Sequence, residues 1–170
     1  MRDDISHHTK SDMNEKPPAS LALEKLGIPH KVYHHTGQVT SLEQAAQERG
    51  QRSAQVVRSI LFRLGEGEFV MALVGGPAQI SWKRLRQHFG QSRLTMATEQ
   101  EVLAVTGYRV GTVSPFGLPA PLKILIDPNV LKEEEISIGS GERSVGILMN
   151  TVDLRRVLKD AEVVQLIESA

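Results

Sequence analysis

The stretch QVVRSILFRLGEGEFVMALVGG, residues 55–76, decides the fold of this chain. Its first half, residues 55–64, is β-branched and apolar on both faces except for Arg58 and Arg63, which is typical of a central strand. The glycines of GEG at 65–67 suit a tight hairpin turn. Residues 68–76 form a second apolar run that ends in a glycine pair. The stretch therefore predicts an antiparallel hairpin within a sheet.

Helical and strand patterns surround this hairpin. Before it, the pattern predicts a short helix at 19–27, a strand at 30–35 and a helix at 40–50, whose start reads as a capping box of Thr40 and Glu43. After it, the pattern predicts helices at 81–90 and 97–107, a strand at 121–128, a hairpin at 135–150, a helix at 150–158 and a last helix carrying the apolar residues of 163–167. This order predicts an α+β fold with much antiparallel pairing, because the regular βαβ alternation of a doubly wound fold is missing.

Composition sets limits on the class of protein. At 170 residues the chain is long enough for one domain, which we place at 18–170 behind a polar, disordered tail at 1–17. The absence of cysteine excludes a disulfide framework and cysteine-based zinc sites, and it favours a reducing cytoplasm. No apolar run reaches the ~20 residues that cross a bilayer, so no membrane partner is expected. A formal net charge of zero argues against strong non-specific binding to DNA or RNA, but leaves room for local contact with an RNA end.

Arg58 is the first candidate site residue. A guanidinium among apolar strand neighbours is costly unless it finds a partner or faces a water-filled cleft. One interpretation is structural, with Arg58 in solvent on an edge strand or in a salt bridge. The other is an anion or phosphate contact on a pocket floor, for which the planar fork of arginine is suited.

Two glycine-rich segments supply the other candidates. In GTVSPFGL, residues 111–118, the glycines permit positive φ and Pro115 biases Ser114 towards an extended backbone, so the loop can present backbone N–H groups to an oxyanion. In GSGERSVG, residues 139–146, Gly146 falls inside a strand, where glycine often marks the close approach of a ligand or of another backbone. Each segment could equally be an ordinary turn. We predict that the two form walls of one small pocket.

Several familiar chemistries are missing from the sequence. It has no dinucleotide fingerprint between a strand and a helix, no Walker loop, no H-E-x-x-H and no G-x-S-x-G elbow. Ser114 has no linked base that the sequence can identify. The histidines at 30, 34 and 35 are grouped in a manner more typical of a surface than of a zinc site. No metal or cofactor is therefore expected.

Taken together, these motifs resemble the YbaK / prolyl-tRNA-synthetase-associated editing domain family. The resemblance covers roughly residues 19–165 and is carried by VVRSILF, GYRVGTVSPFGL, ILIDP and ISIGSGERSVGILMNTVDL, in that order. It implies a mixed, largely antiparallel, barrel-like sheet wrapped by helices. It also implies a pocket for the aminoacyl ester on the terminal adenosine of tRNA. Family members use neither metal nor triad, so water or a ribose hydroxyl attacks while the G-x-x-S-P loop holds the ester.

The resemblance also assigns roles to residues. It implies catalytic roles for Arg58, Gly111 and Ser114, with Ser114 as a secondary polar contact. It implies substrate contacts for Tyr33, Ser59, Pro115, Phe116, Gly117, Gly139, Ser140, Gly141 and Gly146. Two departures from the family pattern stand out: Arg58 replaces the site lysine, and Gly146 replaces an acidic residue that some members carry.

Three functional hypotheses follow. The first is a trans-acting aminoacyl-tRNA deacylase that acts in the cytoplasm on a mischarged small amino acid. Its partner is the 3′ acceptor end of aminoacyl-tRNA, with help from an aminoacyl-tRNA synthetase or elongation factor. The second is a module of the same fold that binds tRNA or a synthetase and has lost hydrolysis through the changes at Arg58 and Gly146. The third is an unrelated hydrolase that uses Ser114 with a linked base.

Overall fold

The computed structural model describes residues 15–168, in which helices and strands alternate in an α+β arrangement. The helices are α1 (Pro18–Lys25), α2 (Leu42–Glu48), α3 (Trp82–Phe89), α4 (Glu99–Thr106), α5 (Pro128–Leu131) and α6 (Thr151–Val157), with a 3₁₀ turn at Ser53–Gln55. The strands are β1 (Lys31–His34), β2 (Val57–Gly65), β3 (Glu68–Gly75), β4 (Thr95–Met96), β5 (Lys123–Ile126), β6 (Glu135–Gly139), β7 (Val145–Asn150) and β8 (Glu162–Val163). Residues 1–14 of the predicted tail lie outside the described residues, and Pro17 is buried at the N-cap of α1.

The predicted hairpin is confirmed at the centre of the larger sheet. β2 and β3 pair antiparallel from Val57 opposite Gly75 to Gly65 opposite Glu68. Gly67 in the turn has a φ of 71°, a left-handed conformation that glycine adopts without strain. The hairpin sequence is apolar on both faces because both faces of this sheet are covered.

Two sheets make up the β structure. The larger has the order β4-β2-β3-β5-β8, and the smaller has the order β1-β7-β6. Pairing is largely antiparallel, but β5 runs parallel to both of its neighbours. A parallel bridge between Val56 and Ser137 joins the two sheets next to the start of β2. The predicted mixed, barrel-like architecture is confirmed, although the barrel is not closed.

The core lies on both sides of the β2–β3 hairpin. On one side Leu61, Met71 and Leu73 pack with buried isoleucines of the smaller sheet. On the other side Phe62 and Val70 pack with Leu85 of α3 and with other buried residues. The smaller sheet and α3 therefore lie against opposite faces of the hairpin, and the edge where the two sheets meet is left for a cleft.

The start of α2 differs from the prediction by one residue. Ser41, not Thr40, caps the helix, because its side chain accepts a hydrogen bond of 3.0 Å from the N–H of Gln44. Thr40 instead donates its backbone N–H and its hydroxyl to Oε1 of Gln44, each at 2.9 Å. The predicted capping box of Thr40 and Glu43 is therefore wrong. Adjacent residues that can both cap make the register ambiguous in sequence.

The predicted last helix at 163–167 is also wrong. Val163 is the last residue of the two-residue strand β8, and Ile167 bridges Ile80 antiparallel. The conformation of the segment depends on Asp127, which is fully buried and accepts a hydrogen bond of 2.8 Å from the N–H of Leu166. An apolar run this short has the same appearance in a helix and in an extended segment, so a distant contact decided its structure.

Asp127 is expected to be a large contributor to stability. Its other carboxylate oxygen caps α5 by accepting the N–H of Asn129 at 2.9 Å. Asp127→Asn turns an amide NH₂ towards one of these two N–H groups, of which that of Leu166 is buried. We therefore expect a loss of about 2 kcal/mol and a melting temperature lower by about 4–8 °C. Asp160→Asn changes an exposed carboxylate and is the control. Equal melting curves for the two variants would contradict the assigned role.

Candidate functional site

A cavity of about 640 Å³ opens where the two sheets meet. Four parts of the chain line it: the loop that leads into α2 together with α2 itself, the start of β2, the loop after α4, and the β6–β7 hairpin. Its lining residues are Gln38, Val39, Thr40, Ser41, Leu42, Ala45, Arg49, Val56, Val57, Arg58, Ser59, Val110, Gly111, Thr112, Val113, Ile138, Gly139, Glu142, Arg143, Ser144 and Val145. A cavity of this volume is in the range that holds a small ligand.

The two glycine-rich segments meet at one wall of this cavity. The N–H of Gly141 donates a hydrogen bond of 2.9 Å to the carbonyl oxygen of Thr112. At Gly139 the backbones are so close that a Cβ atom would lie 2.1 Å from the carbonyl oxygen of Val113. Only glycine fits there, so Gly139 fixes the position of the loop against the hairpin.

Backbone donors of the loop are available at this wall. Gly111 has a φ of 91°, and nothing lies within 4 Å of where its Cβ would be. The N–H of Thr112 bonds the carbonyl oxygen of Arg109 at 3.0 Å. No hydrogen bond within residues 15–168 has the N–H of Gly111 or Val113 as its donor. Unpaired N–H groups on a braced loop are the donors that an oxyanion requires.

Ser114 lies differently from the prediction. It is fully buried, and its hydroxyl accepts a hydrogen bond of 3.2 Å from the N–H of Phe116. The hydroxyl therefore closes the turn, and Ser114 is absent from the cavity lining. Pro115, Phe116 and Gly117 do not line the cavity either. The serine shapes the loop from behind, which leaves the backbone of Gly111 and Val113 at the surface of the cavity.

Tyr108 supports the loop and was not singled out from the sequence. Its ring lies so close to two glycines that a Cβ at Gly141 would be 2.7 Å from Cε1 and one at Gly117 would be 2.9 Å from the hydroxyl oxygen. The hydroxyl donates to the carbonyl oxygen of Phe116. Burial raises the pKa of Tyr108. Gly117 and Gly141 thus make room for this tyrosine.

The hairpin contributes shape more than chemistry. Ser140 is fully buried, and its hydroxyl donates to the carbonyl oxygen of Val145 at 2.6 Å. The same hydroxyl accepts the N–H of Glu142 at 3.2 Å. Ser140 is outside the cavity lining, whereas Glu142 and Val145 line it. The serine therefore sets the bend of the hairpin that forms the cavity wall.

Arg58 lines the cavity from β2 and is half-buried. Its Nε donates to the carbonyl oxygen of Gly76 at 2.8 Å, and its Nη2 donates to the carbonyl oxygen of Ala78. Burial lowers the pKa of Arg58, yet arginine starts high enough to stay charged at neutral pH. Within residues 15–168 Arg58 thus has backbone partners rather than a salt bridge, and part of its fork remains for a ligand.

Ser59, the neighbour of Arg58, also lines the cavity. Its hydroxyl oxygen is buried and makes no hydrogen bond within the described part of the chain. A buried hydroxyl without a partner costs free energy, so Ser59 is a polar group beside the cavity whose hydrogen bond is unmade.

Arg49 is a charged cavity residue that the sequence did not single out as a site residue. It follows α2, and its guanidinium crosses the face of Gly146, where a Cβ would lie 2.6 Å from Cζ. Nε donates to Nε2 of His35 at 3.0 Å, and Nη1 donates to the hydroxyl of Ser137 at 2.8 Å. Burial lowers the pKa of Arg49, and the nearby Tyr33 and Glu48 oppose that shift. Gly146 accordingly makes room for the guanidinium of Arg49.

Tyr33 lies behind this arginine. It pairs with Gly146 across β1 and β7, and its ring meets that of His35 edge to face at 4.8 Å. Tyr33 does not line the cavity.

Among residues 15–168 no group of three or more His, Cys, Asp or Glu side chains could hold a metal ion. In that same part of the chain no helix is both long and apolar enough to cross a membrane.

The fold and the cavity together define a class of protein. It is an α+β domain with a ligand-sized cavity between its two sheets, and the loop at 111–118, held in place at Gly139, supplies backbone N–H donors at the cavity wall. The sequence pattern of the aminoacyl-tRNA editing domain matches residues 36–157, and the chain belongs to that family.

Individual relatives agree with this membership. A proline–tRNA ligase of Trichlorobacter lovleyi is 32% identical over 108 residues, which are 64% of this chain and 19% of the ligase. The uncharacterized protein YwhH of Bacillus subtilis is 33% identical over 115 residues, covering 67% of this chain and 72% of YwhH. A solved structure described as a candidate trans-editing enzyme for prolyl tRNA synthetase has a TM-score of 0.81 at 28% identity, covering 89% of this chain and 96% of that one. The chain spans about a fifth of the length of the ligase it matches.

Proposed function

We propose that this protein is a trans-acting aminoacyl-tRNA deacylase, which hydrolyses the ester between a mischarged small amino acid and the 3′ end of tRNA. The observation that carries the proposal is the braced loop at the cavity, where Gly111 and Val113 have N–H groups without an acceptor in the described chain. Family membership supports the substrate class. Resemblance to proline–tRNA ligases suggests that the tRNA is one that prolyl-tRNA synthetase has charged in error.

The proposed reaction uses the loop to stabilise a tetrahedral intermediate. The oxygen of water, or of the neighbouring ribose hydroxyl, attacks the carbonyl carbon of the ester. Negative charge then develops on the former carbonyl oxygen, where the N–H groups of Gly111 and Val113 donate hydrogen bonds. The bond between that carbon and the ribose oxygen breaks, and the ribose oxygen takes up a proton. When water is the nucleophile, that proton comes from the water, and free amino acid and tRNA are released. When the ribose hydroxyl attacks, the acyl group only moves to that oxygen, and water must then hydrolyse the new ester.

Polar side chains of the cavity floor would position the substrate. Arg58 offers the part of its fork that the carbonyl oxygens of Gly76 and Ala78 leave free. The buried, unpartnered hydroxyl of Ser59 would contact substrate after a rotation of its side chain towards the cavity. Selection among amino acids would come from the volume of the cavity. Because one methylene is worth only about 1–3 kcal/mol in a hydrophobic pocket, such a site discriminates best by excluding larger side chains.

Deacylation of defined tRNAs tests the proposal. We expect the full chain to hydrolyse at least one of alanyl-, seryl-, cysteinyl- and prolyl-tRNA well above the buffer rate. Gly111→Val should lower this rate at least tenfold, because Gly111 has a φ of 91° and a side chain there is strained and alters the loop. A melting curve shows whether this variant folds.

Buffer-rate hydrolysis of every tRNA in the panel would contradict the deacylase. The alternative is then a tRNA- or synthetase-binding module, which the involvement of Arg58 with backbone carbonyls favours. Arg58→Lys distinguishes the two hypotheses further, because activity that appears only in this variant would mean that the arginine has silenced the cavity.

A further inference from the structure

Arg49 has one side of its guanidinium free at the cavity wall. Nε and Nη1 are used by His35 and Ser137, whereas no hydrogen bond within residues 15–168 has Nη2 as its donor. From this geometry we infer that Arg49 forms an oxyanion-binding site for the aminoacyl-tRNA substrate, separate from Arg58. The inference rests on the proposed function, and it adds a contact that defines which substrates the cavity takes.

Buried partners hold the guanidinium in place. The side chain of His35 is fully buried, and its Nδ1 lies 2.9 Å from Oε1 of Glu48. Since the carboxylate can only accept, Nδ1 carries the proton and Nε2 is free to accept from Arg49. Ser137 is likewise fully buried. A cation fixed by two such bonds loses little further side-chain entropy when a ligand binds.

Gly146 provides the space that this arrangement needs. A Cβ there would lie 2.6 Å from Cζ and 2.7 Å from Nη2 of Arg49. The atoms it would meet belong to the far end of a flexible side chain, so an alanine can be accommodated if the guanidinium moves. Gly146→Ala therefore displaces Arg49 without removing its charge, and it makes a second, independent test of the site.

The charges around Arg49 indicate that its ligand is an anion. Within the described chain no carboxylate oxygen lies within ion-pair distance of its guanidinium, and Glu48 acts on it only from further away. A half-buried cation without an ionic partner is relieved by an oxyanion, which arginine binds with charge-assisted hydrogen bonds. Two oxyanions fit the substrate class: the phosphodiester before the terminal adenosine, or a carboxylate on the amino acid side chain.

NMR titrations with the dinucleotide cytidylyl-adenosine and with adenosine test whether Arg49 binds the phosphodiester. We expect Arg49→Met and Gly146→Ala each to weaken binding of the dinucleotide about tenfold and to leave adenosine binding unchanged. The double variant should bind no more weakly than either single variant, because both changes remove one contact. Arg52→Gln is the matched control, since Arg52 is an exposed arginine outside the lining that pairs with Glu133.

Deacylation distinguishes the second source. If dinucleotide binding is unchanged, the ligand of Arg49 is instead the side-chain carboxylate. Arg49→Met should then lower hydrolysis of aspartyl- or glutamyl-tRNA more than that of alanyl-tRNA, mainly through KM. Unchanged results in both experiments, or an equal loss in Arg52→Gln, would overturn the inference. Dinucleotide binding does not require turnover. If the protein binds the dinucleotide through Arg49 but hydrolyses no aminoacyl-tRNA, the proposed deacylase activity is refuted and the oxyanion site at Arg49 still holds.

Discussion

Replacing Gly139 by alanine is expected to lower the melting temperature by about 6–12 °C and to abolish activity at the cavity. The added Cβ would lie 2.1 Å from the carbonyl oxygen of Val113, 2.9 Å from its carbonyl carbon and 3.1 Å from the carbonyl oxygen of Thr112. All three atoms are backbone, so none can rotate away, and the loop must leave the hairpin. Overpacking of this kind costs about 3 kcal/mol, which corresponds to that shift in a domain of this size.

Gly65→Ala is the matched control for this variant. Gly65 lies at the end of β2, lacks a positive φ, and has nothing within 4 Å of where its Cβ would be. We expect its stability to change by no more than about 0.5 kcal/mol. Melting curves of the two variants should therefore differ clearly. Coincident curves would mean that the loop yields easily to the hairpin, and that its backbone donors are not held in place.

The part of the fold that could be predicted is the part with local signals. The β2–β3 hairpin combines β-branched residues with a turn that contains a left-handed glycine, Gly67. Helix α4 begins at a capping box of Thr98 and Glu101, with hydrogen bonds of 2.9 and 3.1 Å. In these elements propensity and tertiary packing favour the same structure, so the sequence alone was sufficient to predict them.

The C-terminal segment shows where local signals were insufficient. Its apolar residues fitted a helix, but the buried carboxylate of Asp127 holds the N–H of Leu166 in an extended segment. The two residues are 39 positions apart. Nothing in the composition of either segment identifies the other, and no sequence period encodes a single hydrogen bond.

The candidate site was predicted at the level of segments and not of side chains. Glycine clusters indicated correctly where backbones approach closely, since Gly139 meets Val113. They did not indicate what each glycine admits, because Gly146 makes room for Arg49 and Gly141 for Tyr108. Arg49 bonds a serine 88 positions away. In the sequence Arg49 was one of many basic residues. It is distinguished only by the pairing of β1 with β7, which brings His35 and Gly146 together around its guanidinium.

Arg58→Ala is expected to reduce kcat/KM for deacylation by about 10- to 100-fold, because a hydrogen bond from a charged group contributes about 1.5–3 kcal/mol and each ~1.4 kcal/mol is a factor of ten. Arg58→Lys should fall between this variant and the wild type. It keeps the cation at the cavity floor, but one ammonium cannot reproduce a planar fork that also bonds two carbonyl oxygens. Steady-state kinetics on the best substrate of the tRNA panel gives both numbers.

Arg63→Ala is the control on the same strand. Arg63 is exposed and absent from the cavity lining. Its Nε donates to the carbonyl oxygen of Gly65 at 3.3 Å and lies 3.6 Å from Oε2 of Glu101, a surface ion pair that contributes little to stability. If Arg58 contacts substrate, Arg58→Ala loses activity at temperatures where it is fully folded, and Arg63→Ala does not. If Arg58 only braces the turn at Gly76 and Ala78, its loss lowers the melting temperature while kcat/KM of the folded protein is unchanged. The second result would remove Arg58 from the proposed mechanism and leave the loop at Gly111 as its catalytic element.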